Sequence, residues 1–356
     1  MRVLITGHTG FKGSWLSLWL QSLGADVIGL SLDPPSTPSL FEQGRVAEGI
    51  TSVHGDIRDA ATVLDVMEAH RPDIVFHLAA QSLVRPSYRN PVETYATNVM
   101  GTVHVLEAMR QVGTARVGIV VTSDKCYENR ESKLWGYRES DPMGGHDPYS
   151  NSKGCAELVT SAYRRSFFGA DGDVPLALAS VRAGNVIGGG DWATDRLIPD
   201  IVRAFIEERP VNIRRPEAIR PWQHVLEPLG GYMLLAQRLW AEGDALADGW
   251  NFGPEERDAR SVRHVVEQMM RRWGTGASAT LDKSPHPHEA TYLRLDCSKA
   301  HALLGWHPRL SLDDALSWTV EWYREVEQGA DPRALTLDQI HRYIHLRSDT
   351  PVHDLN

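Results

Sequence analysis

Val3-Leu4-Ile5-Thr6-Gly7-His8-Thr9-Gly10-Phe11-Lys12-Gly13-Ser14-Trp15 reads as a short apolar run, three glycines at G-x-x-G-x-x-G spacing, and the opening of a helical pattern. A strand that passes through glycines straight into a helix has a definite use. Gly7 permits a tight turn, Gly10 lets the backbone approach a pyrophosphate, and Gly13 lets helix pack on strand, while the helix N-terminus favours an anion. The bland alternative is an ordinary glycine-rich turn, and the flanking strand and helix weigh against it. Thr9, Phe11 and Lys12 fall within the same loop. Asp33 stands 20 residues beyond Gly13, the distance at which a carboxylate meets a ribose 2′-hydroxyl and so favours NAD over its 2′-phosphorylated form. Pro34 and Pro35 beside it suit a plain turn equally. Asp56, in Gly55-Asp56-Ile57-Arg58-Asp59, lies between a strand-like run and a helix, where it could accept from an adenine amino group; Asp59 is the more natural helix N-cap.

Working outward, β-branched runs alternate with helical patterns. Val3 to Thr6, Val27 to Leu30, Ile74 to Leu78, Val117 to Thr122 and Leu176 to Arg182 read as strands. Gly13 to Ser22, Asp59 to His70, Pro91 to Val112 and Tyr149 to Phe168 read as crossover helices. This is the rhythm of an α/β fold, a Rossmann-type doubly wound parallel sheet, and the near-continuous apolar strands imply burial on both faces. From about Gly184 the rhythm fails, with Gly188-Gly189-Gly190 and Pro-rich punctuation around Arg215 to Pro221. The expected organisation is a dinucleotide-binding domain over 1–183, joined by a segment around 225–253 because Trp250-Asn251-Phe252-Gly253 again resembles a strand end. A smaller, mostly C-terminal α/β substrate domain takes 184–224 and 254–330, and 331–356 reads as a polar tail.

Composition narrows the function classes. A chain of 356 residues suits about two domains. Its net charge of −9 has the wrong sign for a surface that tracks a phosphate backbone, so no nucleic-acid partner is expected. Three cysteines, Cys126, Cys155 and Cys297, without a C-x-x-C pair, indicate neither a disulfide framework nor a zinc knuckle. With no signal-peptide pattern and no apolar run of membrane-spanning length, a cytoplasmic protein without a membrane partner is expected.

Two further strings carry chemistry. Tyr149 and Lys153 stand at i and i+4, where an ammonium can lie near a phenol, lower its pKa and make it a workable base. Such pairs are common on solvated helices, and the glycine loop upstream is what favours the functional reading. Thr122-Ser123-Asp124-Lys125 follows a strand, at the carboxyl end where open α/β sheets bind ligands, and sets a hydroxyl, a carboxylate and an amine side by side. The competing reading is a polar loop with a surface ion pair. His286-Pro287-His288-Glu289 reads as a loop rather than a metal site, and no metal is expected. Trp306 reads as packing.

Together these residues resemble the extended short-chain dehydrogenase/reductases that modify nucleotide sugars. The resemblance rests on the glycine string, His77-Leu78-Ala79-Ala80-Gln81, Asn98-Val99-Met100-Gly101-Thr102, the Tyr149/Lys153 pair and Arg182-Ala183-Gly184-Asn185-Val186-Ile187-Gly188. Within that family the chain is most similar to the 4,6-dehydratases, through Thr122-Ser123-Asp124-Lys125-Cys126-Tyr127, Gly188-Gly189-Gly190-Asp191-Trp192 and Arg220-Pro221-Trp222-Gln223-His224-Val225. Relatives acting on dTDP-glucose carry Asp-Glu where this chain has Asp124-Lys125, and epimerases usually lack both groups.

The resemblance implies a tightly held NAD, contacted also by Ile57, Ala79, Ala80, Gln81 and Asn98. It implies a nucleotide-sugar substrate, CDP-glucose, held by Gln81, Ser123, Asn185, Arg196, Arg220, His224 and Arg294. Tyr149 would deprotonate the C4 hydroxyl, Lys153 would steady it, and Ser123 would hold the C4 oxygen. Asp124 would be the acid and Lys125 the base of the C5/C6 elimination, though both need shifted pKa values that an Asp–Lys contact opposes. A homodimer or homotetramer through the helices Pro91 to Val112 and Tyr149 to Phe168 is implied, as is a place in making deoxysugars for surface polysaccharide such as O-antigen. Two other readings stay open, an NAD-dependent 4-epimerase and a dinucleotide-sensing protein. The first has no need of Asp124 with Lys125, the second none of Tyr149 with Lys153.

Overall fold

The computed structural model describes residues 1–132, 135–169, 172–282 and 291–346; the His286 to Glu289 stretch lies outside them. Strands, in chain order, are β1 (Arg2–Thr6), β2 (Asp26–Ser31), β3 (Thr51–His54), β4 (Ile74–His77), β5 (Val117–Val121), β6 (Ala177–Ala183), β7 (Asn185–Ile187), β8 (Val211–Ile213), β9 (Ile219–His224), β10 (Gly249–Phe252), β11 (Ala259–Ser261) and β12 (Ala279–Leu281). Helices are α1 (Phe11–Ser22), α2 (Leu40–Gln43), α3 (Ala60–His70), α4 (Val84–Arg89), α5 (Pro91–Tyr95), α6 (Gly101–Val112), α7 (Pro148–Ser166), α8 (Leu197–Ile206), α9 (Leu226–Glu242), α10 (Val262–Trp273), α11 (Ser298–Leu304), α12 (Leu312–Glu327) and α13 (Pro332–His345).

The main sheet is seven-stranded and parallel throughout, in the order β10-β6-β5-β4-β1-β2-β3. That is the doubly wound order with one strand added at the β6 edge. Successive residues of a strand face opposite ways, and β1 shows it: Val3 and Ile5 join the core under Trp15 and Trp19, whereas Leu4 joins the core that holds Val63 and Leu106. The five strands expected from apolar runs are β1, β2, β4, β5 and β6, and the stretch at Trp250 is β10. β3 carries no such run because it is the edge strand, mostly exposed, and can be polar.

Two segments depart from expectation. The expected helix from Pro91 to Val112 is divided by a π turn at Ala96–Met100, and Asn98 within that turn faces inward. The segment read as a polar tail forms α13 over Pro332–His345, docked on α12 and α1. Its buried residues Thr336, Gln339, Ile340 and Tyr343 do follow helical spacing, but two of them are polar, so the stripe is not apolar. Trp322 Nε1 donates to Thr336 (3.0 Å) and Gln339 Nε2 to the Trp318 carbonyl (2.9 Å).

Beyond β6, two small sheets, β11-β9-β7 and β12-β8, stand over the carboxyl ends of the main strands. Between them and the main sheet opens a cleft of about 670 Å³, where strand order reverses beside β1. Among the described residues no helix is long and apolar enough to cross a membrane, and Cys126, Cys155 and Cys297 are free thiols.

Candidate active site

The glycine loop is built by close approach. Gly7 has φ +80°, and a Cβ there would stand 2.7 Å from the Ala79 backbone nitrogen; a Cβ on Gly13 would stand 2.1 Å from the Gly7 carbonyl oxygen. Protein packing alone demands those two glycines. Gly10 differs, because its Cβ would meet only the Gly7 oxygen, at 3.3 Å, on the cleft side. Gly10 is also the N-cap of α1, with no side-chain cap and no acid in the first turn. The leading N–H groups and the helix dipole are left for an anion in the cleft. Lys12, on that first turn, is pulled down to about 7 by burial and by the nearby Lys153 and Arg196 charges, with Asp124 opposing. His8 faces away into the sheet, 2.7 Å from Ser52 Oγ, and burial takes it down to about 4.

Farther along the cleft, Thr9 Oγ1 stands 2.7 Å from Ser31 Oγ and donates to the Leu32 carbonyl (2.9 Å), tying the loop to the end of β2. Asp33 follows on the rim, exposed and 3.6 Å from His54. Asp56 accepts from Arg58 through both backbone (2.8 Å) and guanidinium, and that pairing holds its carboxyl below the usual range. Asp59 caps α3 through the Ala61 N–H (3.1 Å). Ile57, Ala79, Ala80 and Gln81 also line this half.

At the end of β5 the chain enters a 3-10 turn, Asp124–Cys126, whose N-cap Ser123 accepts from Lys125 N at 3.2 Å. This turn aims three functional groups at one place. Ser123 Oγ donates to Asp124 Oδ1 (3.0 Å), and its hydroxyl lies close enough to Tyr149 to lower the phenol's pKa. Asp124 is 3% exposed, its Oδ2 lacks a hydrogen-bond partner, and burial raises its pKa against the opposing Lys125 charge. Lys125 Nζ lies over the Tyr149 ring, 5.9 Å from its centre.

Tyr149 and Lys153 stand one turn apart on α7, which Asp147 caps by accepting from Ser150 N (2.9 Å). Burial pushes the phenol up to about 12, partly offset by the Ser123 hydroxyl. Lys153 donates to the Val121 carbonyl (3.2 Å), and burial brings it down to about 8 against the raising influence of Glu157. The i, i+4 argument led one to expect a phenol made acidic by Lys153. In the structure burial dominates, because the ammonium is turned toward β5 and Glu157.

Beneath this pair is a network that sequence reasoning did not find. Glu157, one turn past Lys153 and 4% exposed, accepts from Thr122 Oγ1, Ser180 Oγ (2.6 Å) and Arg182 Nε and Nη2 (2.9 and 2.8 Å). Burial would raise its carboxyl, but Arg182 more than offsets that and leaves it below its ordinary value. Arg182 Nη1 donates onward to Tyr127 Oη (2.6 Å), which donates to Asn251 Oδ1 (2.7 Å).

A family described as GDP-mannose 4,6 dehydratase matches residues 4–319. The chain belongs to that family. It is 56% identical over 345 residues to the CDP-glucose 4,6-dehydratase of Salmonella typhimurium, covering 96% of both chains. Among solved structures, DesIV, a dTDP-glucose 4,6-dehydratase from Streptomyces venezuelae determined with NAD, matches with TM-score 0.75 and 25% identity over 94% of this chain and 100% of that one. A UDP-glucose 4-epimerase of Thermotoga maritima matches with TM-score 0.79 and 24% identity, over 92% of this chain and 100% of its own. This last likeness concerns the fold alone.

In this member of the GDP-mannose 4,6 dehydratase family, the predicted site residues fall into two groups. Ser123, Asp124, Lys125, Tyr149 and Lys153 share the cleft with the glycine loop, Asn185, Arg196 and Arg220. Arg196 pairs with Asp191 (3.0 Å) and donates to Ser82 Oγ (2.8 Å). Three others do not reach the cleft wall. Asn98 lies behind Gln81, accepting from its N–H (2.8 Å) and donating to its carbonyl (2.9 Å) and to Ser152 Oγ (2.9 Å). The π turn points it inward, so it fixes a cleft residue instead of meeting a ligand. His224 is packed edge-on between Trp15 and Trp318, and burial takes it down to about 3. Arg294 pairs with Glu256 and lies over the Tyr292 ring, outside the cleft. Conversely, Arg85 and Arg214, both paired with Asp195 at 3.4 and 3.0 Å, also line the cleft and escaped the sequence reading. Their signal was faint: a lone arginine opening α4, and one at the end of the three-residue β8.

Proposed function

We propose that the chain is a CDP-glucose 4,6-dehydratase, converting CDP-glucose to CDP-4-dehydro-6-deoxyglucose and water with NAD used and restored within one cycle. The observation that carries this is the convergence of Ser123, Asp124 and Lys125 on Tyr149 at the carboxyl end of β5. The open approach at Gly10 and the uncapped start of α1 fit a dinucleotide pyrophosphate, and Asp33 and Asp56 fit its adenosine end. NAD, when bound there, supplies a reversible hydride acceptor for C4 and donor for C6.

Oxidising C4 to a ketone comes first, because it makes the C5 proton α to a carbonyl and so removable. Tyr149 accepts the C4 hydroxyl proton and Ser123 fixes the C4 oxygen, while the Ser123 hydroxyl and the Arg196 charge partly offset the burial that pushes the phenol up to about 12. Asp124, its pKa raised by burial, carries a proton for the departing C6 hydroxyl. Lys125 takes the C5 proton, and the C6 carbon–oxygen bond breaks as water leaves. When C6 has been reduced, Lys125 returns a proton to C5, and the proton gained by Tyr149 replaces the one that Asp124 gave to the departing water, which restores both groups. Arg196, Arg220 and Asn185 face the diphosphate, for which arginine geometry is suited.

The organisation that goes with this is a dinucleotide domain over 1–183 and 225–253 and a sugar-nucleotide domain over 184–224 and 254–330. Exposed Val92 (82%), Met100 (48%) and Leu158 (61%) on α5, the π turn and α7 support association into a homodimer or homotetramer through that face. A cytoplasmic setting accords with three free thiols. The test is mass spectrometry of the product from CDP-glucose in deuterated water, with dTDP-, UDP- and GDP-sugars in parallel. Loss of one water with one deuterium at C5, fastest for CDP-glucose, is expected. An unchanged mass with inverted C4 would overturn the assignment in favour of an epimerase.

A further inference from the structure

Away from the cleft, three metal-ligating side chains meet. After β10 the chain turns through Gly253, whose N–H donates to Cys297 Sγ at 3.1 Å, and reaches Glu255. α11 begins just past Cys297 and ends at Gly305, in the left-handed region at φ +64°. The Gly305 N–H donates to the His301 carbonyl (3.2 Å) and the Trp306 N–H to that of Ala300 (3.3 Å), a helix-ending reversal that only glycine enters freely. It folds His307 back over His301, the rings stacked with centroids 4.3 Å apart and planes at 22°. One donor atom each of Glu255, His301 and His307 lies within 4.8 Å of the other two.

One further observation marks this as a ligand set rather than a packing contact. His301 Nε2 is buried and has no hydrogen-bond partner, whereas buried polar atoms are nearly always satisfied. Asp296 is committed elsewhere, to Ser298 and Arg138, at 2.9 Å each.

We propose that Glu255, His301 and His307 bind one divalent transition-metal ion, zinc being the best match, with water completing the coordination. Two imidazoles and one carboxylate suit zinc and disfavour calcium and magnesium, which take oxygen ligands. Tetrahedral zinc with bonds of about 2.0 Å needs ligand atoms roughly 3.3 Å apart, so the three side chains close inward by rotamer adjustment. None of the three lines the cleft. The ion ties the loop after β10 to the end of α11, and that loop continues into β11, which pairs with β9 at Arg260 and Arg220. Its role is to brace the strand beneath the cleft, not to take part in the chemistry.

The test uses the full chain, stripped with a chelator and titrated with Co²⁺, then Zn²⁺. One equivalent of Co²⁺ should give the visible absorption of a four-coordinate site, displaced by Zn²⁺. Zn²⁺ at a hundredfold excess over Kd should raise the melting temperature by about 4 °C. His301→Asn and His307→Asn should each abolish the absorption and the shift, and Glu255→Gln should weaken binding about tenfold. Each variant's melting temperature without metal shows whether it is folded. Double variants of His341 with His345, and of His286 with His288, should bind as the parent does. Parent binding weaker than about 100 µM, binding that survives in folded His301→Asn and His307→Asn, or binding lost in either control instead, would overturn the proposal.

Discussion

Replacing Glu157 by glutamine changes one oxygen to an NH2 and nothing in volume, yet it strikes the most committed carboxylate under the active site. Four donors converge on that carboxylate, two of them from Arg182, whose own side chain is 5% exposed. A carboxamide offers one acceptor oxygen and presents two N–H groups, so at least one guanidinium N–H must face another donor. Arg182 then stays charged and buried without its counter-ion. Breaking a buried pair from one side costs about 3–5 kcal/mol, a large part of the 5–15 kcal/mol by which a typical domain is stable. The Glu157 pKa is depressed in the folded chain, so this contribution is in full above its unfolded value of 4.5 and is lost as pH falls through the folded pKa. Glu157 also raises the Lys153 pKa, which stands at about 8. Without it the ammonium loses its proton at lower pH, and the alkaline limb of kcat moves toward neutrality. Urea melts at pH 7.5 and a pH–rate profile check both consequences. A variant within about 1 kcal/mol of the parent, with its alkaline limb in place, would refute the idea that this carboxylate anchors β5, β6 and Lys153.

Gly13→Ala and Gly10→Ala should separate packing from binding. The first puts a methyl 2.1 Å from backbone and should lower the melting temperature sharply; the second, at 3.3 Å on the cleft side, should leave stability nearly intact while weakening NAD binding measured by fluorescence titration. Asp124→Asn should lower turnover about 10²–10⁴-fold, with stopped-flow absorbance still showing C4 oxidation while loss of water, followed by mass spectrometry, stalls. Burial raises the Glu227 pKa to about 7 against hydrogen bonds from Leu310 N, Tyr343 and Arg309 N. A raised carboxyl stabilises fully below 4.5 and loses that contribution as pH climbs through 7, so urea melts should show the parent falling about 3 kcal/mol relative to Glu227→Gln between pH 4.5 and 8. A pH-independent difference between the two would show that Glu227 is not held protonated.

What could be read in the sequence, and what could not, follows from the range of each interaction. The glycine loop, the Ser123–Lys125 turn and the Tyr149/Lys153 pair are legible because each is a local string whose spacing already fixes its geometry: a strand end, a 3-10 turn, one turn of α7. The Glu157–Arg182 pair is not legible, because its members are 25 residues apart and meet only after α7 has packed on β6. In sequence, Arg182 is simply a charge in an apolar strand, and a buried charge implies a partner without naming it. Asn98 and His224 show the opposite failure. Each stands in a string that resembles a family site, but the π turn rotates Asn98 behind Gln81, and the tryptophans of α1 and α12 enclose His224. A string locates a segment near the cleft; which of its side chains face the cleft is decided by elements distant in sequence. The same reasoning explains α13, whose anchoring contacts are Trp318, Trp322 and Glu227, none of them its own residues. Asn98, turned inward, supports Gln81, which lines the cleft, so substitutions at Asn98 should disturb cofactor affinity, measured by fluorescence titration with NAD, by way of Gln81.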